Sequence, residues 1–274
     1  MFIKVIRALR FRIQSYVLQF ISHKGGINLN YCIEKNAGDS FNKEFLETQF
    51  NKKINKYTFG DKDHYLFCGS ILSRANKCSI IIGAGLIEAN KKIEDFKLVL
   101  GCRGELTLDK INAVRKVEPK FLGDPGLLVR EEFLSLIERK KPSFKIGIVP
   151  HFVDLQRVSS FNLNDDIKII DIKNDYKTVC KDILDCETIF SSSLHGLIFS
   201  DALKVNNLWV KFSDEIIGGN FKFNDYYSVM TNVKDAPIFC NSESDIFEHK
   251  KEAMVSENMN YDQMKKVIFT EFSS

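Results

Sequence analysis

Short apolar runs alternate with amphipathic stretches along most of the chain, and that alternation sets the expected architecture. Over the first thirty residues Phe2, Ile6, Leu9, Ile13, Tyr16, Val17 and Phe20 recur at helical spacing beside Lys4, Arg7, Arg10, Arg12 and Lys24. This predicts an amphipathic helix with a basic face, ended by Gly25 and Gly26. Beyond it, apolar runs bounded by glycine or turn residues predict strands at 29–33, 64–68, 79–82, 98–102 and 120–122, with helices at 40–50 and 104–114. A charged segment at 130–141, broken by Pro142, reads as a linker. A second block then repeats the pattern, with strands at 144–149, 167–172, 188–190 and 208–212 and helices at 175–184 and 194–203. Residues 246–272 predict one or two closing helices.

Strands alternating with helices imply parallel sheets covered on both faces. Seen twice, they predict an α/β protein of two Rossmann-like domains facing across a cleft. The expected division is a basic amphipathic helix at 1–28, a first Rossmann-like domain at 29–135, and a second at 136–274 that includes the C-terminal helices. A length of 274 residues suits two such domains.

Charge narrows the partners. Lys and Arg number 39 against 36 Asp and Glu, a net charge of +3, which lacks the basic excess of a nucleic-acid binder. No acidic residue precedes Glu34, so the first helix either packs on the protein's own core or lies against anionic lipid headgroups through residues 1–26. Seven cysteines form no C-x-x-C pair, and most sit in apolar runs. Buried free thiols in a reducing compartment are expected, with no metal site, which points to the cytoplasm. The basic helix adds peripheral contact with the cytoplasmic face of the inner membrane as an alternative.

Candidate chemistry gathers at strand ends. The run Phe190-Ser191-Ser192-Ser193-Leu194-His195-Gly196 passes from a strand into a helix, where free N–H groups and the helix dipole attract an anion. Ser192, Ser193, Leu194 and His195 are therefore candidates for anion binding, and His195 for proton transfer near neutral pH. The competing reading is that the serines cap the helix and His195 bonds a carbonyl. Arg103 follows another strand and could clamp a carboxylate or phosphate, or pair with Glu105 or Asp109 on the surface. Asn36 to Asp39 form a third strand-end turn whose Asp39 could orient a hydroxyl, with an N-cap by Asp39 or Ser40 as the alternative, and Pro150-His151 follows a fourth strand. Neither a G-x-G-x-x-G nor a P-loop pattern is present, so dinucleotide and P-loop readings are weak.

Taken in order, these stretches resemble the polysaccharide pyruvyl transferase family. The matching elements are Asn36-Ala37-Gly38-Asp39, Gly69-Ser70-Ile71-Leu72, Ile82-Gly83-Ala84-Gly85, Arg103-Gly104-Glu105-Leu106-Thr107, Gly123-Asp124-Pro125-Gly126, Pro150-His151, Ser192-Ser193-Leu194-His195-Gly196 and the run from Lys222 to Ser228. The resemblance implies a glycosyltransferase-B-like fold and transfer of pyruvyl from phosphoenolpyruvate onto two hydroxyls of a cell-surface glycan sugar, in exopolysaccharide, capsule or lipopolysaccharide, to form a cyclic ketal. It implies donor binding by Arg103 and His195, helped by Ser192, Ser193 and Leu194, with Asp39 as a second catalytic candidate. Asn36, Asp39, His151 and Lys222 are expected on the acceptor side, Lys222 as a neutralising charge. Some relatives carry a second arginine before Leu-His, where this chain has Ser193. No cofactor or metal is expected; the partners are phosphoenolpyruvate and a glycan or lipid-linked sugar, with no nucleic acid. The rival readings are a nucleotide-sugar-dependent glycosyltransferase of the same architecture and a non-catalytic glycan-binding protein.

Overall fold

A computed structural model describes residues 23–33, 36–139 and 141–273, with positions 13, 14, 17 and 19. The amphipathic helix expected over 1–28 thus falls mostly outside the described residues. No helix among the described residues is long and apolar enough to cross a membrane.

The first half builds a six-stranded, all-parallel sheet from β1 (Ile27–Leu29), β2 (Ile54–Lys56), β3 (His64–Leu66), β4 (Ser79–Ile82), β5 (Leu98–Cys102) and β6 (Phe121–Leu122). Their order is β2-β1-β3-β4-β5-β6. Helices α1 (Ala37–Phe50) and α2 (Glu105–Val114) are its main crossovers. The second half builds a five-stranded parallel sheet from β7 (Ile146–Val149), β8 (Ile167–Ile169), β9 (Thr188–Ser191), β10 (Asn206–Lys211) and β11 (Ile238–Phe239), in the order β11-β10-β9-β7-β8. The expected α/β class with two parallel sheets is what the chain adopts.

In each sheet the strand order reverses beside its first strand, between β1 and β3 and between β7 and β9. Such a reversal splays the loops at the strands' carboxyl ends and leaves a crevice where α/β proteins bind ligands.

Among the described residues, three apolar clusters form the core. One outer cluster, with Leu66, Ile81, Val99 and Ile111, backs the first sheet, and another, with Ile148, Phe190, Val210 and Ile246, backs the second. Between the sheets a third cluster is shared by both halves through α1, α5 (Tyr176–Leu184) and α6 (Leu194–Ala202). Phe41 of α1 meets Tyr176 edge-on at 5.4 Å and Phe199 of α6 at 6.2 Å. The Ala37 N–H donates to the Ile172 carbonyl at 2.8 Å. The halves are therefore fused by a continuous core along much of their contact.

Several elements differ from expectation for identifiable reasons. The segment 130–141 is not a linker: α3 (Val129–Glu138) occupies most of it. Its charges serve as tethers, Arg130 donating to the Ala202 carbonyl, Glu131 accepting from Tyr261 and Glu132 from Tyr176. β1 ends at Leu29, because residues 30–33 carry the chain past the sheet edge toward α1. β2, Ile-Asn-Lys, lacks an apolar alternation; its Lys56 is buried, donates to the Tyr31 carbonyl and lies over that tyrosine's ring. The closing segment yields α8 (Glu243–His249) and α9 (Tyr261–Ser273). Although expected with the second half, α9 returns to the first sheet, where Phe272 packs among Phe50, Tyr65 and Phe67.

A polar strap also joins the halves. Asp225, on α7 (Phe221–Tyr227), is fully buried and accepts from Arg103 Nε at 2.8 Å, the Thr107 N–H at 2.7 Å and the Thr107 hydroxyl at 2.6 Å. Arg103, also fully buried, donates further to Ser70 Oγ at 2.8 Å and the Leu86 carbonyl at 2.5 Å. Glycine at 104 lets α7 approach, since a side chain there would strike the Asp225 carbonyl. Removing one partner of a buried, hydrogen-bonded ion pair strands the other charge, so Asp225→Ala should cost about 3–5 kcal/mol in urea unfolding. A loss below ~1 kcal/mol, the usual ceiling for exposed pairs, would show the strap to be solvated.

Candidate functional site

The two crevices meet. From the first sheet, the loop after β1 leads into Asn36 and Gly38 at the start of α1, and the loop after β3 carries Cys68 and Ser70. From the second, the loop after β7 carries His151 and Asp154 ahead of the short helix α4 (Leu155–Val158), and the turn after β9 carries Ser192 and Ser193 into the first turn of α6 with His195. The His195 ring lies against the Gly38 backbone so closely that any side chain at Gly38 would overlap it. The glycine of Asn-x-Gly-Asp is thus required where the helix starts of the two halves touch.

The turn after β9 divides its serines between structure and site. The Ser191 hydroxyl donates to backbone carbonyls at 2.9 Å, and that of Ser192 accepts from the His151 N–H and donates to Asp154 Oδ2, both at 2.8 Å. Ser192 therefore knits the β7 and β9 loops together. Ser193, the N-cap residue of α6, makes no side-chain cap bond, and Leu194 is buried behind it. The opening N–H groups of this nine-residue helix lack intrahelical acceptors and carry the positive end of its dipole.

Lys222 and Arg103 act electrostatically on His195 in the first turn of that helix, and Lys222 acts on His151. Lys222, on α7, is only 8% exposed, and among the described residues no carboxylate pairs with its ammonium. Burial, with the Arg103 charge behind it, holds its pKa down to about 8. His151 is lowered to about 4 by burial and by Lys222. His195 is lowered chiefly by burial; Asp124 opposes the shift while Lys222 and Arg103 add to it. Both imidazoles are neutral at pH 7 in the unliganded protein. Arg103 acts at one remove: three of its nitrogens are bonded to protein groups, and its charge is felt by Lys222 and His195. The surface pairing with Glu105 or Asp109 considered from the sequence is replaced by the buried bond to Asp225.

A sequence model of the polysaccharide pyruvyl transferase family matches residues 18–214. The chain belongs to that family. Membership makes it a transferase, of the polysaccharide pyruvyl class in general terms. An uncharacterized protein of Acanthamoeba polyphaga mimivirus is 35% identical over 224 residues, covering 78% of each chain. A crystal structure of a functionally uncharacterized Klebsiella pneumoniae protein superposes with a TM-score of 0.44 at 14% identity, covering 85% of this chain and 98% of the other.

Within the family's motifs the structure assigns local roles. Asn36 caps α1, its Oδ1 accepting from the Gly38 N–H at 3.0 Å, so the cap is neither Asp39 nor Ser40. Asp39 lies in the first turn of α1 and its charge acts on Cys32, Lys56 and Cys68, on the first-sheet side of the site. Two neighbours of His195 were not singled out from the sequence: Cys68, with Sγ 3.5 Å from His195 Nε2, and Asp124, whose Oδ1 accepts from the Cys68 thiol at 3.3 Å. The three side chains offer ligand atoms within 4.8 Å of one another. Asp124 does belong to the Gly-Asp-Pro-Gly motif, but its pairing arises only in three dimensions.

With the Phe223 ring 5.3 Å away but no carboxylate partner among the described residues, the buried Lys222 charge should weaken the unliganded fold. A pKa of about 8 in place of 10.5 corresponds to about 3 kcal/mol while the lysine is charged in both states. That cost is fully present below pH 8 and fades as pH rises toward 10.5, because the folded state gives up the proton first. Lys222→Met should therefore raise Tm by roughly 5–10 °C at pH 7, with a shrinking advantage toward pH 10. An unchanged or lower Tm at pH 7 would mean that a counter-charge already neutralises the ammonium.

Proposed function

We propose that the chain transfers the pyruvyl group of phosphoenolpyruvate onto two hydroxyls of a glycan acceptor to form a cyclic ketal, its two sheets arranged in the glycosyltransferase-B manner. The observation that carries this reading is Lys222. A buried ammonium without a carboxylate partner, beside a helix start and two neutral histidines, stabilises a bound anion more than it stabilises the fold. Phosphoenolpyruvate presents two anionic groups, a phosphate and a carboxylate, and therefore suits such a site.

In this reading the second half supplies the donor site. Lys222, the Ser193 hydroxyl and the N–H groups at the start of α6 hold one anionic group. His195 hydrogen-bonds the other and carries a proton, with Arg103 adding positive field from behind. Protonation of the donor's methylene carbon leaves positive charge at C2, which one acceptor hydroxyl attacks with loss of its proton. The C2–phosphate bond then breaks, and the second hydroxyl closes the ketal, its proton passing to the departing phosphate. The acceptor lies toward the first half, residues 29–135, near Asp39, with His151 at the border of the two sites. Asn36 contributes by fixing the start of α1.

Bound phosphate reverses the local electrostatics. It raises the pKa of Lys222 and of both histidines, so binding takes up protons, and donor affinity should fall as pH climbs through 8. Phosphoenolpyruvate should raise Tm in a thermal melt where nucleotide sugars do not; the opposite ranking would favour a nucleotide-sugar glycosyltransferase.

His195→Ala should retain the fold and lose about two to four orders of magnitude in phosphate release with a glycan acceptor. Turnover close to wild type would remove His195 from the chemistry.

A further inference from the structure

A second chemistry is built into the floor of the site, around the face of His195 turned toward the first sheet. Cys68 is 1% exposed and Asp124 fully buried. Cys68 Sγ lies 3.3 Å from Asp124 Oδ1 and 3.5 Å from His195 Nε2. The other carboxylate oxygen, Asp124 Oδ2, is buried with no hydrogen-bond partner among the described residues. An orphaned carboxylate oxygen beside a thiol and an imidazole nitrogen is a costly arrangement for packing alone.

The spacing matches a different use. A tetrahedral ion bound at about 2.3 Å to sulfur and about 2.0–2.1 Å to nitrogen and oxygen sets ligand–ligand edges of roughly 3.3–3.6 Å. Edges that include sulfur lie at the upper end of that range: the sulfur–nitrogen separation of 3.5 Å meets it, the sulfur–oxygen separation of 3.3 Å lengthens slightly once metal replaces the thiol proton, and all three ligand atoms lie within 4.8 Å of one another. Donor type agrees as well: thiolate, imidazole and carboxylate together suit a borderline-soft divalent cation, whereas magnesium and calcium prefer oxygen alone.

We propose that Cys68, Asp124 and His195 form a binding site for one zinc-class divalent cation, with a fourth coordination position open. Binding replaces the thiol proton with the metal: the S–H bond breaks, the Sγ–metal bond forms, and one proton leaves to solvent. Thiolate and carboxylate then balance the ion's two positive charges, with His195 neutral. The ligands are positioned in advance. Asn42 accepts from the Cys68 N–H and donates to the Cys68 and Gly38 carbonyls, all at 3.0 Å, which fixes the sulfur over the start of α1. The Gly126 N–H holds Asp124 Oδ1 at 2.9 Å, and the Gly38 backbone walls the imidazole. Such outer contacts typically strengthen metal binding by about 10–100-fold. With Nε2 held by the ion and Nδ1 against the Gly38 backbone, His195 serves as a ligand, and the proton role proposed for it above belongs to the metal-free protein. The site is independent of which donor the enzyme uses.

Cobalt(II) titration of the full chain, purified with chelator and kept reduced, reads this directly without any substrate. One equivalent of Co²⁺ should produce a thiolate-to-cobalt charge-transfer band with the intense visible bands of a four-coordinate site. About one proton should be released to a weak buffer for each thiol metallated. Zn²⁺ should displace the cobalt and bleach both features. Cys68→Ser should abolish the charge-transfer band, and Asp124→Asn should weaken cobalt affinity by more than the ~10–100-fold of an outer-shell loss. No charge-transfer band in the wild-type chain would overturn the proposal, as would a band that survives in Cys68→Ser and so arises from another cysteine. Circular dichroism of both variants checks their fold; should Cys68→Ser unfold, a changed band energy or intensity in Asp124→Asn assigns the wild-type band to this site, and an unchanged band overturns the proposal.

Discussion

The site depends on one carboxylate. Asp225 is wholly enclosed, and the Arg103 guanidinium together with the backbone and hydroxyl of Thr107 saturate its oxygens. Through it α7 is tied to the carboxyl edge of the first sheet, although in the chain α7 lies between β10 and β11 of the second. Lys222 stands on that helix and gains its position from the bond. Two positive groups can be buried near each other only because Asp225 neutralises the nearer one to the core. Arg103 is thereby compensated, and Lys222 keeps a charge set over the Phe223 ring but met by no carboxylate among the described residues.

That imbalance is where stability and function pull apart. On α3 the charged side chains are answered by neighbouring elements, Arg130 by the Ala202 carbonyl and Glu132 by Tyr176, and on β2 the buried Lys56 reaches the Tyr31 carbonyl and ring. At the meeting of the two sheets the pattern inverts. A helix start, a buried ammonium and two imidazoles held neutral converge, and burial keeps solvent from screening them. Such a site gives its largest stabilisation to an anion that it encloses. The shared core under α1, α5 and α6 supplies the rigidity that keeps these groups together without a counter-ion.

The architecture was legible where burial is two-sided. Parallel strands covered on both faces, such as β4 and β7, leave unbroken apolar runs that are plain in the sequence. The short strand β2 and the helix α3 were not, because their charged residues are satisfied by distant partners rather than by water. In the site, His195 and the Asn-x-Gly-Asp turn were readable as strand-end features. The need for Gly38 came from the ring of His195, a contact across the chain. Arg103 was recognised as important, but its bond to Asp225 was not, since the two are 122 positions apart. Cys68 looked like a core residue inside an apolar run, and only the loop after β6 brings Asp124 to it. The unanswered charge on Lys222 was equally hidden, because an absent partner leaves no mark in a sequence.

The central claim is that anionic substrate groups bind where the two strand-order reversals meet, on Lys222 and the start of α6. A crystal structure of the chain with phosphoenolpyruvate tests this most directly. The account predicts one anionic group within hydrogen-bond distance of Lys222 Nζ and the Ser193 hydroxyl, at the crevice between β7 and β9. Donor bound elsewhere with Lys222 untouched, for instance against Lys56 and Arg74 on the first sheet, would contradict it.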